Sequence, residues 1–354
     1  SAASDVYKRQ VFGSSGFDAT DKIQAILTGL PDGYEFKCYE YNSVSNIVWF
    51  KDKTGIKISG PGTISAKELR SSWSWIEVDF TETSYPQGII SFQDCSNVDI
   101  SLDIQGGFNR YTITSSNQAE KREYGDTGVY FYNSPYTRIH HCSLKEFWGW
   151  GVIGLGGSHY SQVDNCNISY TTMQSGINIT GGNSHTASFD NTISFCGLYG
   201  VEMENFSRFE NSEYNSCHGN NISYCKWGVA VVSGVSTAYV TDNNIDSCYL
   251  GVSVVSTQDN SKAIVVSGNN VTRTIYSLHL SASQNVSFSD NTLSNSSLPS
   301  YITMDQYMGI LYISDDRLSA YVVGSATVSS TSVYINGTGP VSYTHLRAHE
   351  TRHD

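Results

Sequence analysis

The sequence predicts an all-β solenoid of stacked coils, and three observations carry that prediction. Glycines recur at Gly128, Gly151, Gly176, Gly200, Gly228 and Gly251, at intervals of 23, 25, 24, 28 and 23 residues. Most open an apolar-x-apolar triplet: Val129-Tyr130-Phe131, Ile177-Asn178-Ile179, Val201-Glu202-Met203, Val229-Ala230-Val231 and Val252-Ser253-Val254. Gly151-Val152-Ile153-Gly154 keeps only the first half of the phrase. A second ladder runs in step, with Asn191, Asn220, Asn243, Asn269 and Asn291 each two residues before an apolar position. Cys142 and Cys166 stand there in earlier coils, and Cys196, Cys225 and Cys248 follow the apolar position by three. A period near 25 built from short alternating strands, without helical spacing, marks a β solenoid.

Identical residues one coil apart would lie roughly 4.8 Å apart, the spacing of neighbouring strands. A stacked Asn row can then pass amide hydrogen bonds from coil to coil and satisfy a buried turn. On these residues the chain resembles the right-handed parallel β-helix of the pectin-lyase-like superfamily, which includes phage tailspikes and many polysaccharide-active proteins. The resemblance covers most of the chain. It implies the fold and a polysaccharide or glycan partner, but not a reaction.

The elements follow in order. Gly16 to Leu30 reads as a helix, with Asp18 or Thr20 as cap and Ile23, Ile26, Leu27 and Leu30 at i, i+3, i+4 and i+7. Pro31-Asp32-Gly33 ends it. Residues 11–33 therefore form an N-terminal cap, which the open edge of the first coil requires. The solenoid occupies 34–296. Two excursions interrupt it, at 66–87 with Trp73 and Trp75 and at 106–127 with Phe108, Arg110 and Tyr111. Insertions on a repeat scaffold tend to share one face and carry function. Residues 297–340 keep strand-like runs and read as terminal coils or the start of a truncated module. Residues 1–10 and 341–354 lack the repeat and resemble translated sequencing adapters at the edges of metagenomic assemblies. They are excluded from fold reasoning, together with the helix-spaced His345, His349 and His353, and the natural chain is expected to be longer.

Composition narrows the function. The 354 residues are only 15% charged, with a formal charge of −12. That balance argues against nucleic acid and, less firmly, against an acidic polysaccharide. There is no run of 18 apolar residues, so no membrane span is expected. The eight cysteines fall mostly at inward repeat positions, where Cys acts as a small apolar residue, and they leave the redox compartment open. No metal site is expected. The acidic residues Asp164, Asp190, Asp242 and Asp290 read first as turn residues beside the Asn ladder, so calcium stays without a supporting ligand cluster.

In the strand register Gly-in-out-in-out, the outward residues include Tyr130, Tyr132, Ile153, Leu155, Asn178, Glu202, Glu204, Ala230, Val232, Ser253 and Val255. Glu202 and Glu204 are the acidic pair on this face, with Cβ atoms roughly 7 Å apart. Glycoside hydrolysis needs two carboxyl groups, roughly 5–5.5 Å apart in retaining and 6.5–9.5 Å in inverting enzymes. Flexible side chains straddle both ranges. Crowding should raise one pKa, which suits a general acid. The same pair also reads as a solvated strand face. Asn178 lies one coil earlier, and His159, His185 and Arg208 recur after the strand as a polar ridge or as plain turn residues. Tyr130, Tyr132, Trp150 and Trp227 offer rings for the flat faces of sugars. Alternatively, Ile153, Leu155, Val232 and Val255 form an apolar strip buried in a homotrimer or under an inserted loop.

The expectation is a polysaccharide-active protein, extracellular, on a cell surface or on a virion. A glycoside hydrolase using Glu202 and Glu204 comes first. A non-catalytic glycan-binding or structural shaft is the alternative, and a polysaccharide lyase the third. The resemblance stops short of the Asn-Thr-Asp, Asp-Asp, Gly-His-Gly and Arg-Ile-Lys set of polygalacturonases, since Cys217-His218-Gly219 does not match it.

Overall fold

The computed structural model describes residues 18–66 apart from 46, 88–106, 127–205 apart from 180, and 212–255. It also describes 257, 262–303 apart from 282 and 284, and the strands at 311–314, 321–323 and 333–335. Both chain ends, the bodies of the two excursions with Trp73 and Trp75, and Arg208 lie outside the described residues.

Among the described residues, two parallel sheets run along the solenoid, one of eleven strands and one of twenty. A typical coil contributes one strand to the narrow sheet and two to the broad one, as Val152–Leu155, then Gln162–Asp164 and Asn167–Thr171. Register is held from coil to coil: Val152 pairs with Ile177, Ile177 with Val201, Val201 with Val229 and Val229 with Val252. The inward apolar side chains of both sheets make one continuous core.

Local chemistry explains each repeated feature. The opening glycines are a matter of space, because a Cβ on Gly228 would lie 2.6 Å from the Gly251 carbonyl and 2.5 Å from Ile245 Cγ2. The incomplete phrase at Gly154 has a similar cause: a Cβ there would meet the Phe131 ring at 2.3 Å. That ring ends a core stack with Phe92 and Phe50, at centroid spacings of 5.4 and 5.2 Å. Asp190, Asp242 and Asp290 turn the chain with φ near +55° (54°, 56° and 56°), a conformation that Asp tolerates. Asp164 does not share that role. It is buried and paired with Arg138 through Nε at 2.9 Å and Nη2 at 3.0 Å.

The Asn column is continuous. Each Nδ2 donates to the next Oδ1 at 2.9 Å, from Asn191 through Asn220, Asn243 and Asn269 to Asn291. Each also reaches back to a carbonyl of the preceding coil, Asn220 to Ser188 at 2.9 Å for example. All eight cysteines are buried and unbridged.

The cap helix, α1, spans Thr20–Gly29, shorter than the periodicity implied. Ala19 occupies the cap position without a side-chain bond, but Asp18 Oδ1 accepts from Thr20 N at 3.0 Å. Ile23, Leu27 and Leu30 are buried, and Ile26 packs against the core. Gln24 finishes the first narrow-sheet strand, donating Nε2 to the Trp49 carbonyl at 2.6 Å and accepting from Trp49 N at 2.8 Å. An amide side chain thus stands in for the missing neighbour strand.

Candidate active site

The outward face of the narrow sheet divides into an apolar and a polar half. Tyr130, Ile153 and Leu155 form a buried cluster of their own, separate from the core, with Tyr132 and Trp150 packed against it. Tyr130 is only 5% exposed, and burial pushes its phenol pKa up. It therefore offers no ring face to a sugar, contrary to the sequence expectation. The strip of Ile153, Leu155, Val232 and Val255 is likewise not exposed: the first three are buried within one chain and Val255 is half-buried. No second subunit is needed to cover it.

The polar half begins one coil further on, where Ile153 pairs with Asn178 and Asn178 with Glu202. Glu202 is 6% exposed, which removes the solvated-face reading for this residue. Its Oε2 accepts from Ser175 Oγ at 2.6 Å and from Asn178 Nδ2 at 2.7 Å. The Asn178 Oδ1 is buried with no hydrogen-bond partner. Burial, helped by the charge of Glu204 and opposed by those two donors, raises the Glu202 pKa from 4.5 to about 8. Burial raises half-buried Glu204 to about 7. Near neutral pH the strand Tyr199–Glu204 thus presents one protonated carboxyl and one close to half-ionised. This is the division of labour that acid–base catalysis needs.

Trp227 is half-buried and meets the Tyr199 ring edge-on at 4.8 Å and 67°. The two histidines do not form a ridge together. Exposed His185 lies in a stack of Tyr136, Tyr160, His185 and Tyr214, with centroids 5.1, 4.9 and 5.0 Å apart. His159 falls one residue out of step, and its Nδ1 accepts from Ser184 N at 3.1 Å. Rings stacked along the axis cover one another's faces, so this ladder presents mainly edges to solvent. Tyr170, Phe195 and Tyr224 repeat the arrangement at another turn.

Two groups escaped the sequence reading. Ser175, just before the repeat glycine Gly176, is a Glu202 donor. His279, at the outward position of Tyr276–Ser281, lies 2.8 Å through Nδ1 from Ser253 Oγ. The outward position of His279 was readable from the register, whereas that of Ser175, ahead of its repeat glycine, was not; neither was the partner of each in the adjoining coil. Among the described residues no group of three or more His, Cys, Asp or Glu side chains is placed to hold a metal ion. No helix among them is long and apolar enough to cross a membrane.

The fold is shared with solved structures. The enzymatically active domain of tailspike protein 2 from bacteriophage CBA120 is 13% identical with a TM-score of 0.60, over 85% of this chain and 45% of that one. The hyperthermoactive exopolygalacturonase of Thermotoga maritima is 12% identical with a TM-score of 0.67, over 93% and 92%. DFA-IIIase from Arthrobacter chlorophenolicus A6 is 14% identical with a TM-score of 0.62, over 93% and 86%. This chain thus spans less than half of the tailspike domain that it matches. No curated protein matches it in sequence. Identities this low establish shared architecture and nothing finer. Residues 150–332, more than half of the chain, match the family described as the right handed beta helix region, and the protein belongs to that family.

Proposed function

We propose that this protein is a glycoside hydrolase acting on a polysaccharide outside the cell or from a virion, with Glu202 as general acid and Glu204 as base or nucleophile. The observation that carries the reading is the pair of outward carboxyls on one strand, with the inner one buried against Ser175 and Asn178. In the inverting form, the Glu202 carboxyl gives its proton to the glycosidic oxygen as the bond to the anomeric carbon breaks. Glu204 takes a proton from the attacking water, whose oxygen bonds to that carbon. In the retaining form, Glu204 bonds to the carbon first and water displaces it. Asn178 holds Glu202, and Tyr132, Trp150 and Trp227 supply a half-buried rim for sugar contacts. His159 and His185 serve the turns. Polygalacturonases, a tailspike domain and DFA-IIIase on the same architecture support a carbohydrate substrate.

The test is release of reducing ends from a polysaccharide panel. Glu202→Gln and Glu204→Gln should each lower turnover by at least about a hundredfold. Full turnover in both would remove the pair from the reaction.

One observation favours a second reading, a glycan-binding shaft. The outward face is closed over around Glu202, with Ala230 and Ser253 showing no exposed surface. A trimer of the 38.9 kDa chain by light scattering, together with glycan binding but no release, would select the shaft.

A further inference from the structure

The residues immediately before the opening glycines form a column of their own beside the candidate site. Its rungs are Thr127, Trp150, Ser175, Tyr199, Trp227 and Leu250. Tyr199 pairs with Trp227 in the next coil, and its carbonyl accepts from Gly176 N at 2.9 Å in the coil before. Ser175 and Tyr199 are therefore adjoining rungs. Tyr199 has a ring neighbour on one side, Trp227, and on the other the small Ser175, whose hydroxyl is given to Glu202.

The phenol differs from the other polar groups here. Its hydroxyl makes no hydrogen bond among the described residues and is not a buried atom, whereas Ser175 Oγ and Asn178 Nδ2 both donate to Glu202 Oε2. The other side chains of the strand Tyr199–Glu204 are Val201, Met203 and the two glutamates. Glu204, once ionised, can only accept. Burial, with the charges of Glu202 and Glu204, raises the Tyr199 pKa, so the phenol keeps its proton through the range in which both carboxyls titrate. Sugar oxygens brought against the carboxyls need donors, and this hydroxyl is one held at the site.

We propose that Tyr199 is a substrate-contacting residue of this site: its hydroxyl donates to an oxygen of the sugar unit that the carboxyl pair engages, with its ring braced by Trp227. The proposal rests on the hydrolase reading and adds a residue to it. Tyr199, Trp227 and Glu204 are all half-buried and offer the sugar accessible surface. The row of Glu202 continues through Ala230 and Ser253 to His279, but the contact does not require that stretch, where Ala230 and Ser253 have no exposed surface.

The experiment measures reducing-end release by the full chain from dextran, xylan, mannan, levan, polygalacturonate and alginate, with Glu202→Gln as the blank. Tyr199→Phe keeps the ring against Trp227 and removes the donor. On the polymer cleaved fastest it should lower kcat/KM about tenfold. The thermal midpoint and the shape of the pH profile should not change, because the hydroxyl bonds neither carboxyl. A kcat/KM within about twofold of wild type in folded Tyr199→Phe protein overturns the contact. So does a loss that comes with a shifted limb of the pH profile, which would make Tyr199 a positioning group for the carboxyls. Release unaffected by Glu202→Gln and Glu204→Gln overturns the hydrolase reading instead. Retardation in affinity gels without release overturns that reading too; the contact then stands if Tyr199→Phe protein is retarded less than wild type and falls if the two run alike. Neither release nor retardation with any polymer overturns both.

Discussion

At the scale of single residues, Glu202 makes a prediction that needs no substrate. Its folded pKa, about 8, lies above the ordinary 4.5, so the native state holds this proton more tightly than the unfolded chain does. The resulting stabilisation is present in full below about pH 4.5 and is lost as pH rises through about 8. Glu202→Gln keeps an oxygen acceptor for Ser175 and Asn178 but cannot ionise. The variant should therefore match the wild type near pH 4.5 and be more stable above pH 8, by up to on the order of 5 kcal/mol. Thermal midpoints measured across that range would check it. Equal slopes for both proteins would mean that Glu202 is not desolvated in the folded state.

Elements depend on bonds that cross coils. Asn220 donates to Asn243 and to the Ser188 carbonyl, and it accepts from Asn191 through both Asn191 N and Nδ2. Asn220→Ala strands several buried partners at once and should cost about 2–4 kcal/mol, measurable by urea denaturation. A loss below about 1 kcal/mol would mean that the column relaxes around the gap. The cap is a second such element. Gln24→Ala frees both the N–H and the carbonyl of Trp49 on the first strand of the narrow sheet. An unpaired edge is a template for another chain, so the expected outcome is concentration-dependent association on size-exclusion chromatography. An unchanged elution volume at all concentrations would show that α1 covers the edge without this residue.

For the whole molecule, each coil pairs its strands with its immediate neighbours, so stability is closer to a sum of coil and interface terms than to one global transition. Tryptophans report from different coils: Trp49 from the first, Trp148 and Trp150 from the middle, Trp227 further on. Single-Trp variants should lose fluorescence at different urea concentrations, with the capped first coil diverging from the middle. Coincident midpoints would show that the rod unfolds as one unit. The same additivity is why the repeat could be read directly from spacing. An inward Val or Ile every 23 to 28 residues specifies its own neighbours above and below.

The sequence alone determined the coil register, the Asn column, the inward and outward alternation, and the placing of Glu202 and Glu204 on one outward strand beside Asn178. Those features are written as periodicity, and a parallel stack converts period into contact. Only the tertiary structure decided that the outward face is closed over. It likewise decided that Tyr130 is buried in an outer cluster, that His185 joins a tyrosine ladder while His159 does not, and that Ser175 and His279 belong beside the candidate acid and its row. Burial and one-residue shifts of register are not periodic quantities. They depend on which atoms of neighbouring coils fill the space above a side chain, and the raised pKa of Glu202 is set by that surrounding volume.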